Sequence, residues 1–148
     1  MCIRDSYVIY KGKEAVVPIV EEIKYIEDYI DLQQLRLHKQ LEVQFKKTLS
    51  DEQQHIPPLL FIIFVENAFK HGIEPAESAC FLHLSLHSKE KVLVFECVNS
   101  IENKLNKPKG IGLENLKRRL DLHFPNRYEL KIKETPKQFK TLLKIKTR

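Results

Sequence analysis

The segment Glu66-Asn67-Ala68-Phe69-Lys70-His71-Gly72 carries the side chains of this 148-residue chain that are best suited to chemistry. At about 100° per residue, its polar members fall on one arc at the end of an otherwise apolar helix. They are Glu66, Asn67, Lys70 and His71. Burying such an arc requires partners, because unsatisfied polar groups are costly. Either a polar ligand faces the arc, or Glu66 pairs with Lys70 one turn away at a helix end that caps itself.

The donor types in this arc suit a metal nucleotide. Asn67 offers an amide oxygen, the kind of hard ligand that Mg²⁺ accepts at about 2.1 Å. Lys70 and His71 could face phosphate, and Glu66 could orient a water or a group beside the metal. The segment therefore favours a magnesium nucleotide site, with a structural helix end as the alternative.

A second candidate segment is Gly110-Ile111-Gly112-Leu113-Glu114-Asn115. Two glycines let the backbone approach a ligand closely, and a helix beginning near Leu113 would offer N–H groups to an anion. Such a pattern alone is more often a turn, but here a polar stretch of eleven residues, 99–109, precedes it. Long loops are kept for a reason, so the segment predicts a lid hinge over a nucleotide. Basic residues on this loop and the next helix would attract a triphosphate. They are Lys104, Lys107, Lys109, Arg118 and Arg119.

Apolar periodicity predicts the elements that position these segments. Helices are predicted over 21–37, over 57–71 with an end at Gly72, and after the second glycine pair. The second helix begins with Pro57-Pro58 because proline is tolerated only in a first turn. Alternating patterns predict strands over 41–46, 82–87, 92–98, 130–133 and 139–146. The order predicts an α+β fold, a two-layer sandwich with three main helices on one face of a mixed, mostly antiparallel sheet.

Composition limits the class of protein. With 43% hydrophobic and 30% charged residues, the chain should fold as one globular domain. Three cysteines without a CxxC pair argue against a disulfide framework or a structural zinc site, and favour a reducing compartment. The longest apolar run has seven residues, whereas a membrane-spanning helix needs about 20. The net charge is +5, but the C-terminal lysines alternate with core positions and no aromatic platform accompanies them, so nucleic-acid binding is disfavoured.

The two segments, in this order, resemble the N box and the second glycine box of the GHKL-type ATP-binding catalytic domain of sensor histidine kinases. Further motifs resemble the LytS-like branch of that family. They are Ile56-Pro57-Pro58 and the first-helix pattern Tyr25-Ile26, Tyr29-Ile30, Leu32 and Arg36. The resemblance covers about residues 17–146 and implies the Bergerat (GHKL-like) fold. We therefore expect residues 17–148 to form the ATP-binding domain and 1–16 to be a linker or N-terminal remnant, partly non-native or simply frayed.

The resemblance also implies roles for individual residues, with ATP and Mg²⁺ as cofactors. Asn67 would be the Mg²⁺ ligand, and the catalytic surroundings would be Glu66, Lys70 and His71. Nucleotide contacts would come from Asn67, Lys70, His71, Asn99, Gly110, Ile111, Gly112, Leu113 and Asn115.

One triplet departs from the family pattern. The first glycine box normally contains Asp-Asn-Gly, whose carboxylate binds the adenine amino group, and the matching triplet here is Val98-Asn99-Ser100. The Val98 side chain cannot accept a hydrogen bond. Adenine recognition is therefore expected from Asn99, the backbone or water. The alternative function is a degenerate GHKL-fold interaction module with weak or no nucleotide binding.

The function that the resemblance implies is the catalytic domain of a two-component sensor histidine kinase. Such a domain supplies Mg-ATP for phosphorylation of a histidine on an upstream dimerisation domain, within a His-Phe-Leu-Phe-Asn-like motif that this chain lacks. The chain is therefore expected to be a fragment that does not autophosphorylate alone. Its expected partners are that phosphoacceptor domain and a response regulator. Its expected location is the cytoplasm, with membrane attachment only through upstream segments.

Overall fold

The computed structural model describes residues 16–102 and 112–146, with only the backbone described at Gly112 and Leu113. The N-terminal remnant expected over 1–16 therefore lies outside these residues, apart from Val16. The elements in chain order are β1 (Val17–Pro18), α1 (Ile19–Arg36), β2 (Leu41–Leu49), β3 (His55–Ile56), α2 (Ile62–Ala68), a π-helical turn (Phe69–Ile73), β4 (Cys80–Lys89), β5 (Val92–Ser100), α3 (Gly112–His123), β6 (Tyr128–Glu134) and β7 (Gln138–Lys146). None of the helices in the described ranges has the length and apolar character needed to cross a membrane.

Five strands form the main sheet in the order β2-β4-β5-β7-β6. Strand β2 runs parallel to β4, and the other neighbours are antiparallel. A parallel pair needs a crossover connection, which the segment containing α2 supplies. The prediction of a mixed, mostly antiparallel sheet is confirmed. The short antiparallel pair β1 and β3 was not predicted, since two residues per strand are too few to show alternation.

The core lies between the sheet and the helices. On β5, Leu93, Phe95 and Cys97 are all at most 2% exposed. The Phe95 ring stacks on that of Phe61 with centroids 4.7 Å apart, and the Cys97 thiol lies 3.9 Å from the carbonyl oxygen of Phe64. These residues alternate with partly exposed ones, so one face of the sheet is covered by helices and the other is open. The predicted two-layer sandwich is confirmed.

The predicted helix over 57–71 is wrong at both ends. Helix α2 begins at Ile62, because Leu59 adopts a left-handed conformation with φ of 61°. Its N–H donates to the Glu22 carboxylate instead of joining a helix. At the other end, the helical backbone passes through Gly72 and continues as the π-helical turn to Ile73. Gly72 therefore does not end the helix.

Candidate functional site

The polar arc of the first segment lies where α2 becomes the π-helical turn. Glu66 and Asn67 belong to α2, and Lys70 and His71 belong to the π-helical turn. Such turns are wider than an α-helix and occur frequently at functional sites. The buried Phe69 ring anchors the junction, with its edge against Tyr29 at a centroid distance of 5.7 Å.

Lys39 holds the far end of the π-helical turn. Its ammonium donates to the backbone carbonyls of Ile73, at 2.6 Å, of Glu74, at 3.1 Å, and of Ala76. A helix leaves its last carbonyls unsatisfied and its C-terminus is electronegative, so a lysine there both satisfies and stabilises it. Because Lys39 follows α1 in sequence, this contact fixes the turn to the first helix.

The Asn67 side chain carries a buried polar atom that calls for a ligand. Its Nδ2 is buried, and no hydrogen-bond partner for it occurs among the described residues. Leaving a buried amide donor unsatisfied costs about 1–3 kcal/mol. An amide can present either its oxygen or its nitrogen by rotation, so the same position can offer Mg²⁺ an oxygen ligand. Asn67 therefore fits the role that the sequence predicted for it.

Gly72 allows the end of β5 to pack directly on the π-helical turn. A Cβ atom at Gly72 would lie 2.2 Å from Nδ2 of Asn99 and 2.8 Å from the carbonyl oxygen of Ser100. Both distances are shorter than real carbon contacts, so a side chain here would force the two elements apart. The structure thus places Asn99 against the π-helical turn that also carries Lys70 and His71.

Asn99 and Val98 point to opposite faces of the sheet. Asn99 is 2% exposed on the helix-covered face, and its Nδ2 donates to the carbonyl oxygen of Ser100 at 3.1 Å. Val98 is on the open face, where its register partners are His83 and Lys140. Equating Val98 with the adenine-binding carboxylate is therefore wrong, because successive strand residues alternate in direction. Of the two residues, Asn99 is the one that faces the π-helical turn.

Two further residues line the same end of the covered face and were missed in the sequence. Phe139 on β7 is the register partner of Asn99. Thr141, 4% exposed, donates through Oγ1 to the carbonyl oxygen of Cys97 at 3.5 Å. The alternation of β7 indicates that Phe139 and Thr141 share the covered face. The lysines at the intervening positions led to the interpretation of this strand by its solvent-exposed face alone.

His71 and Arg119 are not both free cations that face the site. Burial, and then the Lys70 ammonium, lower the pKa of His71, so at neutral pH it offers a neutral imidazole. Arg118 is exposed. Arg119 donates to the carbonyl oxygens of Leu59, at 2.9 Å, and of Pro58, so its guanidinium is used inside the fold. Arg119 was expected to attract a triphosphate, but its hydrogen bonds hold the turn before α2 instead.

The second segment is described only from Gly112 onward. Helix α3 begins at Gly112, which puts Leu113 and the exposed Asn115 in its first turn. This start agrees with the predicted helix. Gly110, Ile111 and the predicted lid lysines at 104, 107 and 109 lie outside the described residues.

Metal-binding side chains are sparse in this region. Within the described ranges, no three His, Cys, Asp or Glu side chains cluster as a metal site. Mg²⁺ commonly takes one or two protein ligands together with phosphate oxygens and water. The single amide of Asn67 is consistent with that mode of binding, in which the nucleotide brings most of the ligands.

Comparisons with known proteins agree with this architecture. No family model matches the chain. The catalytic domain of histidine kinase ThkA superposes with a TM-score of 0.59 at 11% identity, over 89% of this chain and 94% of that one. ThkA has also been solved in complex with the response regulator protein TrrA, and that kinase superposes with a TM-score of 0.59 at 9% identity, over 98% of this chain and 46% of that one. The fold is therefore that of a histidine kinase catalytic domain.

Sequence relatives narrow the class. The sensor histidine kinase YesM of Bacillus subtilis is 29% identical over 131 residues, which cover 81% of this chain and 22% of YesM. The sensor protein LytS of Bacillus cereus is 27% identical over 87 residues, covering 57% of this chain and 14% of LytS. The resemblance to LytS-like sensor histidine kinases is thus confirmed, and the enzyme class that it supports is a histidine kinase, a transferase. The chain spans about a fifth of YesM and less of LytS.

Proposed function

We propose that this chain binds Mg-ATP at the junction of α2, the π-helical turn and β5, and supplies it to a histidine on another part of a longer sensor kinase. The observation that carries the proposal is the buried Asn67 amide, whose nitrogen has no partner among the described residues. It lies in the same polar segment as Gly72, which packs on Asn99. A structural helix end does not explain a buried amide nitrogen without a partner.

The residues of the arc would bind and orient the phosphates. Bound Mg²⁺ would neutralise phosphate charge, and the Asn67 amide oxygen would hold it. Lys70 adds a positive charge, the neutral His71 can donate one N–H, and Glu66 can orient a water. Backbone N–H groups at the start of α3 can bind phosphate oxygens. Phosphoryl transfer depends mainly on placement and charge neutralisation, so this set requires no nucleophile from the chain itself.

The base would lie at the end of β5. The Asn99 amide can both donate and accept hydrogen bonds, and it can therefore match the amino group and ring nitrogen of adenine. Thr141 and Phe139 border the same place, one with a hydroxyl and one with an aromatic ring. The interaction-module alternative was based on Val98, which faces away from this site, so no observation favours that alternative.

Partners follow from the same proposal. The ThkA kinase, whose fold this chain shares, forms a complex with a response regulator. We therefore infer that a response regulator receives the phosphoryl group, and that the phosphoacceptor and dimerisation domain belongs to the same longer protein. The chain would then work in the cytoplasm, with any membrane attachment in other parts of that protein.

A thermal unfolding experiment tests nucleotide binding. A ligand present at about 100 times its dissociation constant stabilises the folded state by about 2.7 kcal/mol, so Mg-ATP should raise the melting temperature. Asn67→Ala should remove most of that rise. Gln44→Ala, which deletes an amide on the open face of edge strand β2, is the matched control and should keep the full rise. An unchanged melting temperature for the native chain in millimolar Mg-ATP would overturn the proposal.

A further inference from the structure

A buried carboxyl group on α1 contacts the turn that precedes α2. Glu22 is 1% exposed, and its Oε1 accepts the N–H of Leu59 at 2.6 Å. Burial raises the pKa of Glu22 to about 7, while the N–H groups of Leu59 and Leu60 and the charge of Arg119 act in the opposite direction. A carboxyl group so deeply buried is retained only where partners satisfy it.

Arg119 on α3 holds the same turn from the other side. Its guanidinium donates from Nη1 to the carbonyl oxygen of Leu59 at 2.9 Å and from Nη2 to that of Pro58. Arg119 and Glu22 also attract each other electrostatically, since each counteracts the shift that burial causes in the other's pKa. We call Glu22, Pro58, Leu59 and Arg119 the turn clamp.

The clamped turn is strained and close to the site in sequence. Leu59 has a φ of 61°, a conformation that costs a residue with a side chain about 1–2 kcal/mol. Three residues later the chain enters α2, which carries Asn67. On the other side, Arg119 is seven residues beyond Gly112, so two helical turns separate the clamp from the start of α3.

We propose that the turn clamp positions the start of α3 relative to Asn67, so that Arg119 controls Mg-nucleotide affinity without contacting the nucleotide. This inference rests on the proposed function, because it concerns how two parts of that nucleotide site are held together. Both parts lie on helices, so loss of the Arg119 hydrogen bonds would let one helix shift against the other. Arg119 is thus a positioning residue. Its guanidinium presents two donors in a fixed planar fork to the two carbonyl oxygens, a geometry that the flexible ammonium of a lysine does not hold.

The test compares Mg-ATP affinity, measured by calorimetry, between the native chain and variants of α3. Arg119→Ala should weaken binding at least tenfold, and Arg119→Lys should give an intermediate loss. Lys117→Ala, which removes an exposed positive charge from the same helix, should bind like the native chain. All measurements are made at a temperature where circular dichroism shows each variant to be fully folded.

A destabilised variant remote from the site separates positioning from stability. Leu93→Val shortens a buried side chain on β5, six residues from Asn99, and should bind Mg-ATP with native affinity when it is folded. Native affinity in both Arg119 variants would overturn the clamp proposal, as would an equal loss of affinity in Leu93→Val. If Arg119→Ala does not fold, Arg119→Lys decides the matter. Failure of the native chain to bind Mg-ATP would instead overturn the proposed function.

Discussion

The two faces of the five-stranded sheet treat polar side chains in different ways. On the open face, Lys140 pairs with Glu96 at 3.5 Å and His83 with Glu42 at 3.1 Å, and all four side chains are 31–63% exposed. On the covered face, Asn99 and Thr141 are at most 4% exposed. Exposed ion pairs contribute little to the stability of the fold. Burying a polar group has a large desolvation cost unless the group forms hydrogen bonds. The side chains that indicate function are therefore the buried ones, although the charged ones are more numerous.

The largest expected difference between the faces concerns apolar packing on β5. Phe95→Ala should lower the free energy of unfolding by about 3–5 kcal/mol, because it leaves a cavity against Phe61 and Phe64. Val94→Ala, at the next position on the open face, should cost less than about 1 kcal/mol. Urea denaturation of both variants measures this. Equal losses would mean that the open face is also packed.

The second prediction concerns Glu22, the carboxyl group that is buried on α1. The folded-state pKa of Glu22 is raised from 4.5 to about 7, so folding favours its protonated form. The stability that the protonated Glu22 contributes is thus fully present below pH 4.5 and is lost as the pH rises to about 7. The loss amounts to at most about 3 kcal/mol. Glu22→Gln should lack this dependence, so urea denaturation should show the variant gaining stability relative to the native chain between pH 4.5 and 7.5. Parallel pH profiles would contradict this.

These contrasts explain which parts of the fold the sequence could predict. The five strands of the main sheet and helix α1 follow from local periodicity and were predicted close to their observed bounds, whereas α2 was predicted to begin five residues too early. The turn before α2 was not, because its conformation depends on Glu22, 37 residues from Leu59 in sequence, and on Arg119, 60 residues from it. Groups so remote leave no local pattern. The apolar run after Pro57-Pro58 simply favoured an earlier helix start.

The candidate site shows the same limit. The polar arc at Asn67 was predicted from residue types and helical spacing, and the structure places it at one junction. Val98 was wrongly matched to the adenine-binding carboxylate, because the triplet was aligned by position in the sequence alone. That alignment did not consider which residue of the strand faces the helices. The alternation of Leu93, Phe95, Cys97 and Asn99 was present in the sequence and indicates the correct residue.

The third prediction compares Asn99 with its neighbour Val98, which lies on the opposite face of the sheet. Asn99→Ala should weaken Mg-ATP binding about tenfold, the effect of losing a buried hydrogen-bond partner of about 1–2 kcal/mol. Val98→Ala should change affinity less than twofold, since its side chain is on the other face. Titration with a fluorescent ATP analogue measures both. A larger effect from Val98→Ala than from Asn99→Ala would contradict the placement of Asn99, rather than Val98, next to the nucleotide.

The smallest expected effect is that of the open-face ion pair. Glu96→Gln removes the charge facing Lys140 and should change the free energy of unfolding by less than about 1 kcal/mol at low salt. The difference should shrink further in 1 M salt, where screening is strong. Urea denaturation at the two salt concentrations measures this difference. A loss comparable to that of Phe95→Ala would show that the two faces do not differ in the way described.

The central claim is that Asn67 and Asn99 together form a magnesium nucleotide site, and side-chain amide resonances test it directly. In a ¹⁵N-labelled sample, ATP without metal should shift the NH₂ signals of Asn99. Adding Mg²⁺ should then shift those of Asn67, while the Gln44 signals on the open face stay in place. Unchanged Asn67 and Asn99 signals at saturating Mg-ATP would contradict the account.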